Sequence, residues 1–172
     1  MRKVEVFSDY KKWKLLFEEE AKKLKSIFGN EIVDVNHIGS TSVPELKAKP
    51  IIDILPVVKD IRIVDDFNDE MKNAGYDPKG ENGIPGRRYF QKGGDNRTHH
   101  IHIYQLGSHE IERHVAFRDY LRCHPVAKQC YGELKEKLAE RYPYDIASYI
   151  LGKEQLVKTI EAKAMEWYKW DK

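Results

Sequence analysis

The run Pro50-Ile51-Ile52-Asp53-Ile54-Leu55-Pro56-Val57-Val58 limits what this chain can fold into more than any other stretch. From Ile51 to Val58 it is apolar on both faces of a strand, except at Asp53. A strand of that kind is covered on both sides, which places it centrally in a sheet. Pro56 has no amide hydrogen for a ladder, so regular pairing is expected to fail beside it. A lone carboxylate in such a strand is costly to bury without a metal, a cation or hydrogen-bond donors. Asp53 is therefore either a ligand or an internally satisfied acid.

Upstream, Ile32 to Ile38 reads as another strand, and Gly39-Ser40 marks a tight turn at its end. A short helix over Val43–Ala48 is expected to follow. Ser8 is the expected N-cap of a first helix. Trp13, Leu16, Phe17, Leu24, Ile27 and Phe28 recur at helical spacing behind it, and Gly29 supplies the stop. The charged residues between Lys11 and Lys25 read as its solvated face. Downstream, Ile61, Val64, Met71 and Ala74 form one helical face closed by Gly75. The Gly- and Pro-rich stretch Tyr76–Gly86 reads as a loop. Arg88–Lys92 and Thr98–Leu106 read as a hairpin around Gly93-Gly94-Asp95-Asn96. From Ser108 to the end the pattern is helical, and Pro125 and Pro143 divide it into three helices. The expected fold class is α/β (α+β), as one domain over 1–172: an α/β core over 1–106 and a helical part over 107–172.

The 172 residues suffice for such a core, and 41% of them are hydrophobic. The net charge of +2 gives no global nucleic-acid signature. Cys123 and Cys130 have no second pair, which argues against a zinc site and for reduced thiols. The N-terminal stretch has no signal-like apolar run, and no segment approaches the roughly 20 apolar residues of a membrane helix. A cytoplasmic location with no membrane partner is expected.

Three segments carry chemistry. Gly39-Ser40-Thr41-Ser42 sits where a strand ends, and its glycine, hydroxyls and amides suit a phosphate. Asp53 lies thirteen residues after Ser40 and is placed to hold a divalent metal bridging phosphates. The plain alternative is a capped turn beside a satisfied acid. Thr98-His99-His100-Ile101-His102-Ile103 puts His100 and His102 on one strand face, which suits a transition metal or acid–base work. Hydrogen-bonded strand histidines are the alternative. In Glu112–Pro125, Arg118 and Arg122 fall within an apolar helical arc with Ile111, His114, Val115, Phe117 and Leu121, while Glu112 and Asp119 point away. Inward arginines need an anion, either a phosphate or a protein carboxylate. Lys49, Arg87 and Arg88 are further basic candidates, with Lys49 taken as a phosphate ligand, although most such side chains are simply exposed.

The blocks HIGSTSVPELKAKPIIDI, GRRYFQKG, THHIHIY, FRDYLRCHP and YILGKEQLV closely resemble the GrpB family, over about Val4 to Glu161. The resemblance implies a nucleotidyltransferase-like mixed β-sheet with flanking helices and a C-terminal helical layer. Some relatives carry this domain fused to dephospho-coenzyme A kinase, which points toward nucleotide or coenzyme metabolism. Ile38-Gly39-Ser40 and Asp53-Ile54 match the superfamily signature. Leu55 stands where a second acid is usual, and Glu45 stands where the GrpB family usually has glycine. One Asp with two His suits zinc or manganese better than magnesium.

Two functions follow as expectations. One is a metal-dependent nucleotidyltransferase or phosphoryl-transfer enzyme acting on a nucleotide or other phosphorylated small molecule. Gly39, Ser40, Thr41, Ser42, Lys49, Arg118 and Arg122 would hold phosphate. Asp53, His100 and His102 would hold magnesium, manganese or zinc, with Asp53 and His102 catalytic. The other is a catalytically silent nucleotide- or coenzyme-binding regulatory module, motivated by Leu55. A purely structural protein with Asp53 paired to Arg118 is a third.

Overall fold

A computed structural model of the chain describes residues 2–171. The helix expected through the last residue includes Lys172, which lies outside them. Five strands form one mixed sheet in the order β1-β2-β5-β4-β3. They are β1 (Ile32–Ile38), β2 (Ile52–Val58), β3 (Tyr76–Pro78), β4 (Arg88–Lys92) and β5 (His99–Gln105). β2 pairs antiparallel with β1 and parallel with β5, while β3, β4 and β5 run antiparallel in turn. The ladder between β2 and β5 joins Ile54 to Ile101 and Val57 to Tyr104 but skips Leu55 and Pro56. That gap is the interruption the proline imposes.

Alternation along the strands sorts the side chains. Ile52, Ile54 and Val58 point with Ile101 and Ile103 toward one face, where Trp13, Leu24 and Phe28 of α1 (Tyr10–Phe28) cover them. Each fully buried aliphatic chain there contributes roughly 1.5–3 kcal/mol. Met71 of the short α2 (Asn68–Asn73) and Val64 of the preceding 3-10 turn, Ile61–Phe67, close that core. The other face carries Asp53, Leu55 and Val57 from β2 and His100, His102 and Tyr104 from β5. Leu55, Val57 and Tyr104 pack there with Ile38 and with Ile111 of α3 (His109–Cys123). Behind α3 stand α4 (Pro125–Arg141) and α5 (Ile146–Asp171). Val43 and Leu46, just past the Gly39-Ser40 turn, insert among Leu121, Tyr131 and Ile160.

Several local expectations fail for identifiable reasons. Asp9, not Ser8, is the N-cap of α1, and its side chain makes no capping bond. Val43–Ala48 is not helical: Ser40–Ser42 forms one 3-10 turn, Glu45 takes a positive φ of 67° and Ala48 bridges to Phe7. Tyr76–Pro78 is not loop but the edge strand β3, three residues long and ending in a proline that an edge tolerates. Glu20 is not part of the solvated face of α1. It is 3% exposed and takes hydrogen bonds from the Tyr76 hydroxyl at 2.6 Å and Lys92 Nζ at 3.1 Å.

Candidate metal and phosphate site

Register brings Asp53 beside His100 in the parallel ladder, and Tyr89 beside His102 in the antiparallel one. One sheet face thus gathers Asp53, His100 and His102. His100 Nδ1 lies 3.2 Å and His102 Nε2 3.1 Å from Asp53 Oδ1. The ligand atoms of the three residues all lie within 4.8 Å of one another. The Asp53 side chain keeps 27% of its exposure, so the group is reachable from outside. Burial raises the Asp53 carboxyl, but hydrogen bonds from His100 and His102 outweigh it and hold the group well below the usual carboxylate range.

The outer nitrogens of the two histidines meet arginines. Arg97 Nη1 is 3.3 Å from His100 Nε2, and Arg87 Nη1 is 3.5 Å from His102 Nδ1. A guanidinium only donates. Each ring therefore accepts from its arginine and turns its proton toward Asp53. Binding a metal through the inner nitrogens moves each proton to the outer nitrogen, so that Arg97 must release His100 and Arg87 must release His102. Arg87, expected at the surface, is buried. It donates to the carbonyls of Glu81 and Asn82 and stacks on Tyr89 at 4.8 Å.

The turn after β1 closes on the same carboxylate. Gly39 has φ 73° and ψ −174°, a conformation essentially confined to glycine. A Cβ there would meet Asp53 Oδ2 at 2.8 Å. Ser40 is partly exposed, whereas Thr41 and Ser42 are buried. The Thr41 hydroxyl lies 3.0 Å from His37 Nε2, and the Ser42 hydroxyl donates to the Gly39 carbonyl. The two hydroxyls expected to face phosphate thus make internal bonds, and Gly39 and Ser40 are the partly exposed residues of the turn. His37 stacks on Phe17 at 4.7 Å, and burial pushes its imidazole down to about 4. His114, 5.7 Å from the His102 ring, is pushed by burial to about 3.

Arg118 and Arg122 reach this turn and commit part of their donors to protein. Arg118 donates to the His37 carbonyl at 3.1 Å and to Asp119 at 2.9 Å, so Asp119 does not point away as expected. Arg122 donates twice to the Ser42 carbonyl, at 3.0 and 2.7 Å. They hold the shape of the turn. Asp53 pairs with the two histidines rather than with Arg118. Glu45 is exposed and does not enter the site.

Sequence reasoning missed Lys135. It is 1% exposed, and its Nζ donates to Ser40 Oγ at 2.9 Å. The signal was its place in the buried stripe of α4, four residues after Tyr131 and four before Ala139.

Leu55, fully buried beside Ile38 and Tyr104, occupies the place of a second metal-holding acid. Two magnesium ions therefore do not fit these residues. One Asp and two His fit a single ion of the zinc or manganese kind.

The sheet, the Gly-Ser turn and the helical layer define a nucleotidyltransferase-like fold. The structure of the Cid1 poly(U) polymerase with bound MgGTP superposes with a TM-score of 0.55 at 15% identity, over 79% of this chain and 45% of that one. The chain belongs to the GrpB family, whose description is "GrpB protein" and which matches residues 3–163. The crystal structure of the conserved protein GrpB from Enterococcus faecalis has a TM-score of 0.92 and 47% identity, covering 95% of this chain and 99% of that one. The UPF0157 protein YqkA of Bacillus subtilis is 53% identical over 168 residues, 98% of this chain. This chain spans 49% of the length of YqkA. No helix among the described residues is long and apolar enough to cross a membrane.

Proposed function

We propose that the chain binds a phosphorylated small molecule, such as a nucleotide, together with one divalent metal, and that it transfers a nucleotidyl or phosphoryl group. The observation that carries this reading is the meeting of Asp53, His100 and His102 within 4.8 Å beside the Gly39-Ser40 turn. Asp53, His100 and His102 would hold the metal, which when bound supplies charge neutralisation for phosphate oxygens. Gly39 lets the ligand approach the backbone, and Ser40 offers a hydroxyl. Arg118 and Arg122 keep the turn in shape rather than touch the ligand. In the metal-free protein His102 would hold a proton against Asp53, and that proton would be given up when the metal binds.

Manganese or zinc binding to wild type and Asp53→Ala, read by calorimetry with and without nucleotide, tests this. Metal-dependent nucleotide binding is expected in wild type and its loss in the variant. Equal binding in both would sink the reading. The buried Leu55 favours a second reading, a binding module with no turnover. Under it the same ligands bind, but no nucleotidylated product forms with any acceptor.

A further inference from the structure

The antiparallel register sets Tyr89 opposite His102 and Arg88 opposite Ile103, so Arg87, one residue before β4, falls opposite Tyr104. His102 and Tyr104 stand two residues apart on β5 and share a face. Arg87 is buried between them and the preceding loop. Its Nε donates to the Glu81 carbonyl at 3.1 Å and its Nη2 to the Asn82 carbonyl at 2.7 Å, which fixes that edge of the guanidinium. Nη1 is the end that reaches the sheet. It meets His102 Nδ1 at 3.5 Å, a long contact for an N–H donor. Among the described residues, Arg87 forms no ion pair with a carboxylate.

Tyr104 is fully buried, with its ring packed beside Ile38, Leu55 and Val57. Its hydroxyl has no hydrogen-bond partner, and a buried hydroxyl left so is costly to keep. His114, whose ring lies 6.1 Å from that of Tyr104, is engaged with Arg113 at 3.2 Å. Burial raises the Tyr104 phenol, and the charge of Arg87 pulls against it, as a guanidinium across the strand pair must. Once His102 Nε2 is a ligand, its ring proton sits on Nδ1, and Arg87 Nη1 then faces a donor instead of an acceptor. A buried guanidinium turned away there needs another acceptor close by. The Tyr104 oxygen is such an acceptor.

We propose that Arg87 and Tyr104 are positioning residues for the metal site, the Tyr104 hydroxyl being a spare acceptor that takes Arg87 Nη1 when His102 becomes a ligand. Arg87 then has two alternative partners on β5: His102 Nδ1 in the metal-free protein and Tyr104 Oη in the loaded one. The carbonyls of Glu81 and Asn82 hold its other edge in both, so the change is confined to Nη1. The unpaired hydroxyl penalises the metal-free state alone, so Tyr104 raises metal affinity without touching the ion. The inference rests on the metal reading of Asp53, His100 and His102.

The test is isothermal calorimetry of the whole chain, stripped with chelator and dialysed, against zinc chloride and manganese chloride. Tyr104→Phe removes only the hydroxyl. Without metal it is expected to melt at the wild-type temperature or above it. It is expected to lose roughly 10-fold in affinity for either ion, as loss of an outer partner of a ligating histidine does. Nitrogen-15 shifts of the histidine rings give a second readout. His102 is expected to carry its proton on Nε2 in the metal-free wild type and on Nδ1 with zinc. A metal-free His102 protonated on Nδ1 overturns the proposal, even where zinc binds. Equal affinity in Tyr104→Phe and wild type also overturns it and leaves the metal reading standing. No binding of either ion by wild type removes the metal reading, and this inference with it.

Discussion

Gly39 and Asp53 are in contact across the end of β1 and β2, so closely that a methyl group on Gly39 would sit 2.8 Å from Asp53 Oδ2. The carboxylate can take its place between His100 and His102 only because residue 39 has no side chain. Gly39→Ala must either push Asp53 away or break the turn, in a backbone conformation that itself costs about 1–3 kcal/mol for a non-glycine residue. Urea denaturation is expected to show a loss of at least that size. A variant as stable as wild type would contradict the contact.

Glu20 ties α1 to the sheet through Tyr76 and Lys92. Burial raises its carboxyl, but the Tyr76 and Lys92 bonds outweigh this and leave it below the ordinary value. Glu20→Ala strands a buried tyrosine hydroxyl and a lysine, and is expected to destabilise by about 3 kcal/mol. Glu20→Gln keeps an acceptor for Tyr76 and is expected to cost about 1 kcal/mol. Melting curves of the two variants should fall in that order.

His37 makes acid stability measurable. Its folded value of about 4 lies below the unfolded 6.5, so the unfolded chain binds the extra proton first. Stability is therefore full above pH 6.5 and is lost as pH falls from there toward 4. The whole effect is about 3 kcal/mol. Unfolding midpoints across that range should slope less steeply for His37→Gln than for wild type. Parallel slopes would remove His37 as the cause.

Glu45 holds a φ of 67°, which disfavours any residue with a Cβ. Glu45→Gly is expected to stabilise the chain by about 0.5–1 kcal/mol, strain relief being partly offset by the freer unfolded state. A fall in stability on substitution would show that the glutamate compensates in some other way.

The strands β1, β2, β4 and β5 were legible because their apolar runs are bounded by glycine and proline turns. The pairing of His100 and His102 followed from simple alternation. β3 was not legible, since three residues ending in Pro78 carry too little pattern to stand out from a glycine-rich loop. Lys135 and Glu20 were hidden for another reason. Each charged residue sits on the buried stripe of an otherwise amphipathic helix, and composition alone assigns such residues to solvent. Arg118 packs inward as expected, whereas Arg122 is exposed and only its guanidinium turns back to the Ser42 carbonyl, a partner that sequence periodicity cannot name. The contact of Lys135 with Ser40 depends on how α4 docks, a long-range fact that no local spacing encodes.

The parallel register of Asp53 with His100 has a kinetic meaning. The β4–β5 hairpin can form early, from neighbours in sequence, and it already holds both histidines. The carboxylate joins them only through the pairing of β2 with β5, strands separated in the chain by β3 and β4. Non-local parallel pairing of this kind is slow. Affinity for a metal would therefore appear as a late event during refolding, reporting that the sheet has closed rather than that its strands exist.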